Sequence, residues 1–267
     1  MIWLSLMITI VVTVASLLGL VTAYPYARET ANWALQARGQ DIGNLLTVPA
    51  FLASLYYLKK GSSGAFLIWM GILFYYIYAY LIYAFFVHFN NLFLMYVGVL
   101  GLSVYVLISG LINVNFSEHL ISLSGTTKRF ASWLLIVIGV LFAMMWFAEI
   151  INALALGENT KSAVEAGLLV NPVHVIDLAI VLPGMIITGI MLIKDQLFGY
   201  LFTAPWLTFS VFMGSSICAT LIMELLRNNR EAIPPLVIIG FLVVFSLGVL
   251  GAYFRDVNKK IRKGQPR

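Results

Sequence analysis

The sequence predicts an all-α membrane protein, a polytopic bundle of about eight helices. Three observations predict it. Of 267 residues, 61% are apolar and only 10% charged, against roughly 25% charge in a soluble domain. Mean hydropathy is +0.97. The apolar residues also gather into eight long runs, each near the roughly 20 residues that cross a bilayer as a helix. This composition excludes a soluble globular enzyme, a coiled coil and a disordered chain. The single cysteine, Cys218, excludes a disulfide scaffold.

The first run, Met1–Tyr24, has no positive n-region and no A-x-A cleavage site, so it reads as a retained span. The others cover approximately Ile42–Leu58, Ala65–Val87, Leu92–Val114, Phe130–Leu156, Val173–Ile193, Phe198–Leu226 and Pro234–Phe254. Internal glycines and the lack of strict alternation favour helices over barrel strands. One membrane domain over 1–254 and a basic tail over 255–267 follow.

Orientation comes from the basic residues. Lys59, Lys60, Lys128, Arg129, Lys194 and six in the tail fall on one side, and Arg28, Arg38, Lys161, Arg227 and Arg230 on the other. Eleven against five places both termini in the cytoplasm of a cell (inner) membrane protein. The tail RDVNKKIRKGQPR carries most of the net charge of +5. It reads as an anchor near anionic lipid, not as a nucleic-acid surface.

Connection lengths suggest a 4+4 parallel tandem repeat, with units 1–114 and 130–254. DIGNLLTVPAF from Asp41 and DLAIVLPGM from Asp177 each place an aspartate at a helix start, then Pro49 or Pro183, then Lys59 or Lys194. An even number of helices per unit relates the copies by an axis along the membrane normal. Pro49, Pro183 and Pro205 are expected to kink their helices. Gly98 with Gly101, Gly139 with Ala143, Ser215 with Ala219 and Gly248 with Gly251 offer small faces for close helix packing.

In the third run, FYYIYAYLIYAFF from Phe74 sets Tyr76, Tyr80 and Tyr83 on one face. Buried phenols need partners, so Tyr76 and Tyr80 should face other helices. A cofactor or quinone stacking wall is the functional alternative to space-filling.

The costly polar residues fall mostly on the outer side. Asp41 and Asn44 open the second helix; His88, Asn90 and Asn91 fill the turn between the third and fourth. Glu149 and Asn152 close the fifth, Asn171, His174 and Asp177 open the sixth, and Glu224 and Arg227 end the seventh. Ionisable groups in hydrocarbon cost roughly 2.5–3.5 kcal/mol each on insertion scales, so a partner, a cavity or a function must compensate. Asn171 and Pro172 read as an N-cap and N1 pair.

Three readings stay open for this cluster. The acids pair with Arg28, Arg38 or Arg227 while the histidines satisfy loop backbone. Or Arg38, Asp41, Asn44, His88, Asn90, Glu149, His174, Asp177 and Glu224 line an outward pocket that binds or transports a small polar or amphiphilic ligand. Or His88, His174, Asp177 and Glu149 form a catalytic or metal site acting on a lipid or amphiphile, although no spacing such as H-E-x-x-H is present. A membrane scaffold is a further class; it requires every acid to be ion-paired and Gly98 and Gly101 to point outward. Between Thr30 and Arg38 the first outer loop is expected to form a short interfacial helix, with Trp33 and Leu35 toward lipid and Arg28, Glu29 and Gln36 toward water, roofing the pocket.

RGQD-I-GNL from Arg38, the tyrosine-rich third run and FNNLFLMYVGVLGLSVY from Phe89 together resemble a family of uncharacterised prokaryotic multi-pass membrane proteins, a likeness that NPVHVIDLAIVLPG extends into the second half. The resemblance implies no activity. It implies a prokaryotic multi-pass protein and draws interest to Arg38, Gln40, Asp41, Asn90 and Asp177.

Absences narrow the chemistry. There is no mid-helix lysine for a retinal Schiff base, no C-x-x-C, no Walker A loop and no nucleotide-sized cytoplasmic segment. His119 falls on the inner side, which leaves His88 with His174 as the one conceivable bis-histidine haem pair. Ser215 and Ser216 have no His and acid beside them in the sequence to make a serine nucleophile.

Overall fold

The computed structural model describes residues 1–113, 123 and 125–264, with side chains as far as 256; His119 lies outside the described residues. The fold is 87% helical and has no strand among the described residues. The helices are α1 (Ile2–Val21), α2 (Ala31–Lys59), α3 (Ser63–Phe86), α4 (Phe93–Asn113), α5 (Gly125–Leu156), α6 (Lys161–Ala166), α7 (Pro172–Ile176), α8 (Leu182–Ile193), α9 (Leu197–Leu226) and α10 (Ile233–Gly264). A π-helical turn, Asp177–Val181, fuses α7 and α8 into one rod.

Seven helical rods among the described residues are long and apolar enough to cross a membrane: α1, α3, α4, α5, α7–α8, α9 and α10. The protein is a multi-pass membrane bundle. The remaining long helix, α2, is more polar, yet its 29 residues extend about 44 Å at 1.5 Å each, against about 30 Å of hydrocarbon. It runs antiparallel beside α1. Asn44 meets Ser16, and Gly19 lies against Asp41.

Alternating helix directions gather the connections into two ends. At one end lie the loops around residues 22–30, 87–92, 157–171 and 227–232. At the other lie residues 60–62, 194–196 and the first residues of α1. α3 is the central rod. Its Trp69, Met70, Ile72, Leu73, Tyr75, Tyr76 and Tyr80 are fully buried among α2, α4 and α9. α4, α5 and α10 present long apolar faces outward, as lipid contact requires; Tyr105, Ile112, Met144, Leu154, Phe241 and Val244 are exposed.

The second helix begins at Ala31, well before the expected Ile42, so the separate interfacial helix over 30–38 is corrected. Thr30 caps it, its Oγ1 accepting from the Trp33 backbone N–H at 3.2 Å. No proline intervenes before Pro49. Trp33 and Leu35 are 5% and 6% exposed, packed inward, and the Trp33 Nε1–H donates to the Phe86 carbonyl at 2.9 Å. Glu29 turns inward as well, its side chain buried against His88.

Close packing rests on glycines other than most of those expected. A Cβ on Gly39 would sit 1.8 Å from Thr220 Oγ1, and one on Gly43 1.6 Å from Ser216 Oγ. These two bring α2 directly against α9. Gly139 does pack, against Ile186 and the Leu182 carbonyl. By contrast, added Cβ atoms at Gly98, Gly101, Gly248 and Gly251 would meet nothing.

The two segments that suggested a repeat differ locally. Asp41 sits inside a continuous α-helix that runs through Pro49, whereas Asp177 opens the π turn that precedes Pro183. A π turn relieves the register just where proline removes a donor. α9 also continues through Pro205.

At the end opposite Asp41, Lys128 Nζ reaches Asp195 Oδ1 at 2.6 Å, and the Tyr200 hydroxyl donates to the same carboxylate oxygen. The Lys128 contact and the Tyr200 hydroxyl hold the Asp195 carboxyl below its usual range. Asp195 has φ of +57°, which asparagine tolerates, so Asp195→Asn keeps the turn and removes the charge. A depressed carboxyl stabilises the fold above the unfolded pKa of about 3.9, and that contribution fades as pH falls through the lower folded value. In detergent, the wild type should therefore melt higher than Asp195→Asn at pH 7. The gap should close as pH drops below about 4, and a gap independent of pH would contradict the assignment.

Candidate functional site

Asp41 is the centre of the polar end. It lies on α2, is 2% exposed, and no cation lies within ion-pair distance of it among the described residues. The Tyr26 hydroxyl donates to Oδ2 at 2.6 Å and the Tyr83 hydroxyl to Oδ1 at 2.9 Å. Tyr83 also reaches the Ala37 carbonyl at 2.9 Å. Tyr26 belongs to a short 3-10 turn after α1, where burial first, and the Asp41 carboxylate second, push its phenol well above the usual value. It therefore remains a donor at neutral pH. Gly19 makes the space, since a Cβ there would stand 2.1 Å from Asp41 Oδ2.

From Asp41 a line of polar groups follows α2 into the bundle. Asn44, fully buried, donates to Ser16 Oγ at 3.1 Å. Gln40 Nε2 donates to Tyr75 Oη at 2.7 Å, which is 2.7 Å from Ser216 Oγ on α9. Thr47 Oγ1 lies 2.5 Å from Tyr76 Oη. Two phenols beside this line, Tyr80 and Tyr96, are buried and make no hydrogen bond of good geometry among the described residues, although Ser16 lies near the first and Tyr26 and Asn90 near the second. Their rings pack on Tyr83, Tyr80 edge-on at 5.4 Å and Tyr96 stacked at 5.0 Å. A buried hydroxyl without a well-formed hydrogen bond is uncommon and marks a place where a small polar group fits.

A second polar cluster lies where α5 meets α7. Glu149 Oε1 accepts from the Ser162 backbone N–H at 2.8 Å, and its Oε2 is 3.4 Å from His174 Nε2. Asp177 accepts from Trp146 Nε1 at 2.9 Å, and the Trp146 ring packs on His174 at 4.7 Å. The Tyr78 hydroxyl of α3 faces Asp177. Asn171 caps α7, accepting from the Val173 N–H at 2.9 Å, as the sequence predicts, and donates to Ser162 Oγ at 2.8 Å.

The hydrogen bonds thus gather the expected residues into two clusters at one end of the bundle, each reached by a tyrosine of α3. Tyr83 serves the first and Tyr78 the second. Asp41 and Asn44 belong to one; Glu149, His174 and Asp177 belong to the other. His88 lies in neither, and Asn90 borders the first through Tyr96. The His88 backbone N–H donates to Glu29 Oε1 at 2.7 Å and its Nδ1 lies 3.1 Å from Oε2. Asn90 donates to the Pro25 carbonyl at 3.1 Å and accepts from the Leu92 N–H at 2.8 Å. Both tie the first loop to the α3–α4 turn. Glu224 accepts from Asn229 at 3.2 Å and closes α9.

None of the expected arginines, Arg28, Arg38 and Arg227, makes an ion pair among the described residues. Arg38, on the turn before Asp41, makes no ion pair within 4 Å among the described residues, and its buried Nε lacks a partner. The proposed metal set of His88, His174, Asp177 and Glu149 is not assembled either. No group of three or more His, Cys, Asp or Glu fit to hold a metal occurs among the described residues. Nor are His88 and His174 placed as a haem pair, since each is held by a different glutamate. The scaffold reading is met at Gly98 and Gly101, but not at Asp41 and Asp177, which make no ion pair among the described residues.

Tyr26 and Tyr75 are site residues that sequence reasoning passed over; Gln40 drew interest only through the resemblance, and Ser216 was weighed only as a nucleophile. Tyr75 carried a signal, since it sits beside Tyr76, which was chosen. Tyr26 carried none, because it precedes the part of the first outer loop, Thr30 to Arg38, that was expected to form a helix. Searches against family models, curated proteins and solved structures give no match to the chain.

The two kinds of tyrosine predict opposite effects. Tyr83→Phe removes a donor from a buried carboxylate and should cost about 1–3 kcal/mol. Tyr80→Phe removes a hydroxyl that makes no hydrogen bond of good geometry, and its thermal midpoint in detergent should equal or exceed that of the wild type. Equal losses for both variants would contradict the network.

Proposed function

We propose that this chain is a cell (inner) membrane protein, with both termini in the cytoplasm, that binds and carries a small polar solute or cation at Asp41. The polar end then faces the extracytoplasmic side. One observation supports this reading above the others: a fully enclosed carboxyl in a membrane bundle, held by two tyrosine hydroxyls and making no ion pair among the described residues. Such a group is expensive in hydrocarbon and persists where it exchanges a proton or takes a cation. The Tyr80 and Tyr96 hydroxyls, which make no hydrogen bond of good geometry among the described residues, supply further oxygen ligands next to it. The polar line through Gln40, Tyr75 and Ser216 gives a hydrated or protonated species stations between α2, α3 and α9. Arg38, at the turn above, makes no ion pair among the described residues and is suited to the anionic part of an amphiphilic ligand.

Flux into proteoliposomes tests this with protons, sodium and potassium as the probes. Wild-type protein should carry at least one of them above the level of empty vesicles. Asp41→Asn should lower that rate at least about tenfold, roughly 1.4 kcal/mol of barrier, while Asp177→Asn should lower it less. No flux of any of the three, or equal rates in wild type and Asp41→Asn, would overturn the proposal.

A further inference from the structure

At the end of the bundle away from Asp41, a cleft of about 580 Å³ opens between the start of α5 and the middle of α10. Phe130, Phe241, Phe245 and Gly248 line it, with Thr126 and Arg255 lining it at the helix ends nearest the basic tail. Phe241 and Arg255 are fourteen residues apart on one helix, about 21 Å at 1.5 Å per residue. One leaflet is about 15 Å deep in hydrocarbon. The cleft therefore runs from the membrane surface past the depth of a leaflet, along a face whose neighbours Phe241 and Val244 are exposed.

We infer that this cleft is a binding site for an anionic phospholipid. An acyl chain lies along Phe130, Phe241, Phe245 and Gly248, and the headgroup phosphate meets the Arg255 guanidinium and the Thr126 hydroxyl. Shape and charge agree on this occupant. A cleft open to hydrocarbon and lined by three aromatic rings takes an apolar chain. A guanidinium at the end nearest the basic tail matches a phosphate, with which it forms paired hydrogen bonds. Arg255 is followed in sequence by Lys259, Lys260, Arg262 and Lys263, so this end lies where a basic segment draws anionic lipid to the surface. Gly248 is what keeps the cleft open: a Cβ there meets nothing within 4 Å, so a larger side chain would project into the cleft without disturbing the bundle.

Native mass spectrometry of the full chain in detergent, with phosphatidylglycerol or phosphatidylcholine added, tests the site. Wild-type protein should retain phosphatidylglycerol in preference to phosphatidylcholine. Gly248→Leu, which blocks the chain and leaves every charge in place, and Arg255→Gln, which removes the headgroup contact, should each cut phosphatidylglycerol retention about fivefold, the share of one basic residue at a membrane surface. A Lys259→Gln, Lys260→Gln double variant should keep more of it than Arg255→Gln does. Equal retention of the two lipids by wild type would overturn the inference. So would wild-type retention by Gly248→Leu, because the basic tail alone would then account for binding. Dimers that Gly248→Leu dissociates without loss of phosphatidylglycerol would also overturn it, by assigning the cleft to a second copy of the chain.

Discussion

Within a bilayer no water is at hand to satisfy a polar group, so every donor and acceptor on a crossing helix must find its partner in protein. The arrangement around α2 follows from that constraint. This helix carries Gln40, Asp41, Asn44 and Thr47 within little more than two turns, and none of them could face lipid. α1 supplies Ser16, α3 supplies Tyr75, Tyr76 and Tyr83, and α9 supplies Ser216. Gly39 and Gly43 let α9 come near enough for Ser216 to reach the network. The polar helix is thereby wrapped by apolar ones, and α3 becomes central because its tyrosines combine a large apolar ring with a hydroxyl at the tip.

The same constraint separates what was legible in the sequence from what was not. Apolar runs of bilayer length announce helices directly, and α1, α3, α4, α7–α8 and α9 fall close to where those runs lie. Polar residues at one end are equally legible, because helix parity converts position in the chain into depth. Partner choice was not. Asp41 looked like a mate for Arg38, yet its carboxylate turns to Tyr26 and Tyr83, and which face of a helix meets which neighbour is decided by packing that no local spacing encodes. Gly39 was missed because the expected run began at Ile42 and left it in loop, and with it went the four-residue spacing to Gly43 that would have marked a close-packing face. Trp33 and Glu29 were misplaced for the same reason: a polar stretch beside the membrane reads as surface unless the neighbours that bury it are known.

Two clusters each reached by a tyrosine of α3 have a consequence for how the protein can work. Tyr83 reaches Asp41 and Tyr78 faces Asp177, so a change on either side of α3 is felt by residues little more than one turn apart. The π turn beginning at Asp177 adds a segment whose hydrogen-bond register is already altered, a feature often found at functional sites. Glu149 and His174, in contrast, form a contact that fastens α5 to α7, and Glu29 with His88 fastens the first loop to the α3–α4 turn. These contacts hold the rim of the polar end, while Asp41 occupies its interior.

The account stands on α2 crossing the membrane inside the bundle although it is the most polar of the long helices. Cysteine labelling from each side of sealed vesicles measures this directly, with Arg28→Cys and Lys60→Cys introduced separately into a Cys218→Ser background. The account predicts that impermeant reagent reaches position 28 from one face only and position 60 from the other only. Labelling of both positions from the same face would show that α2 does not cross, and the buried Asp41 network would fall with it.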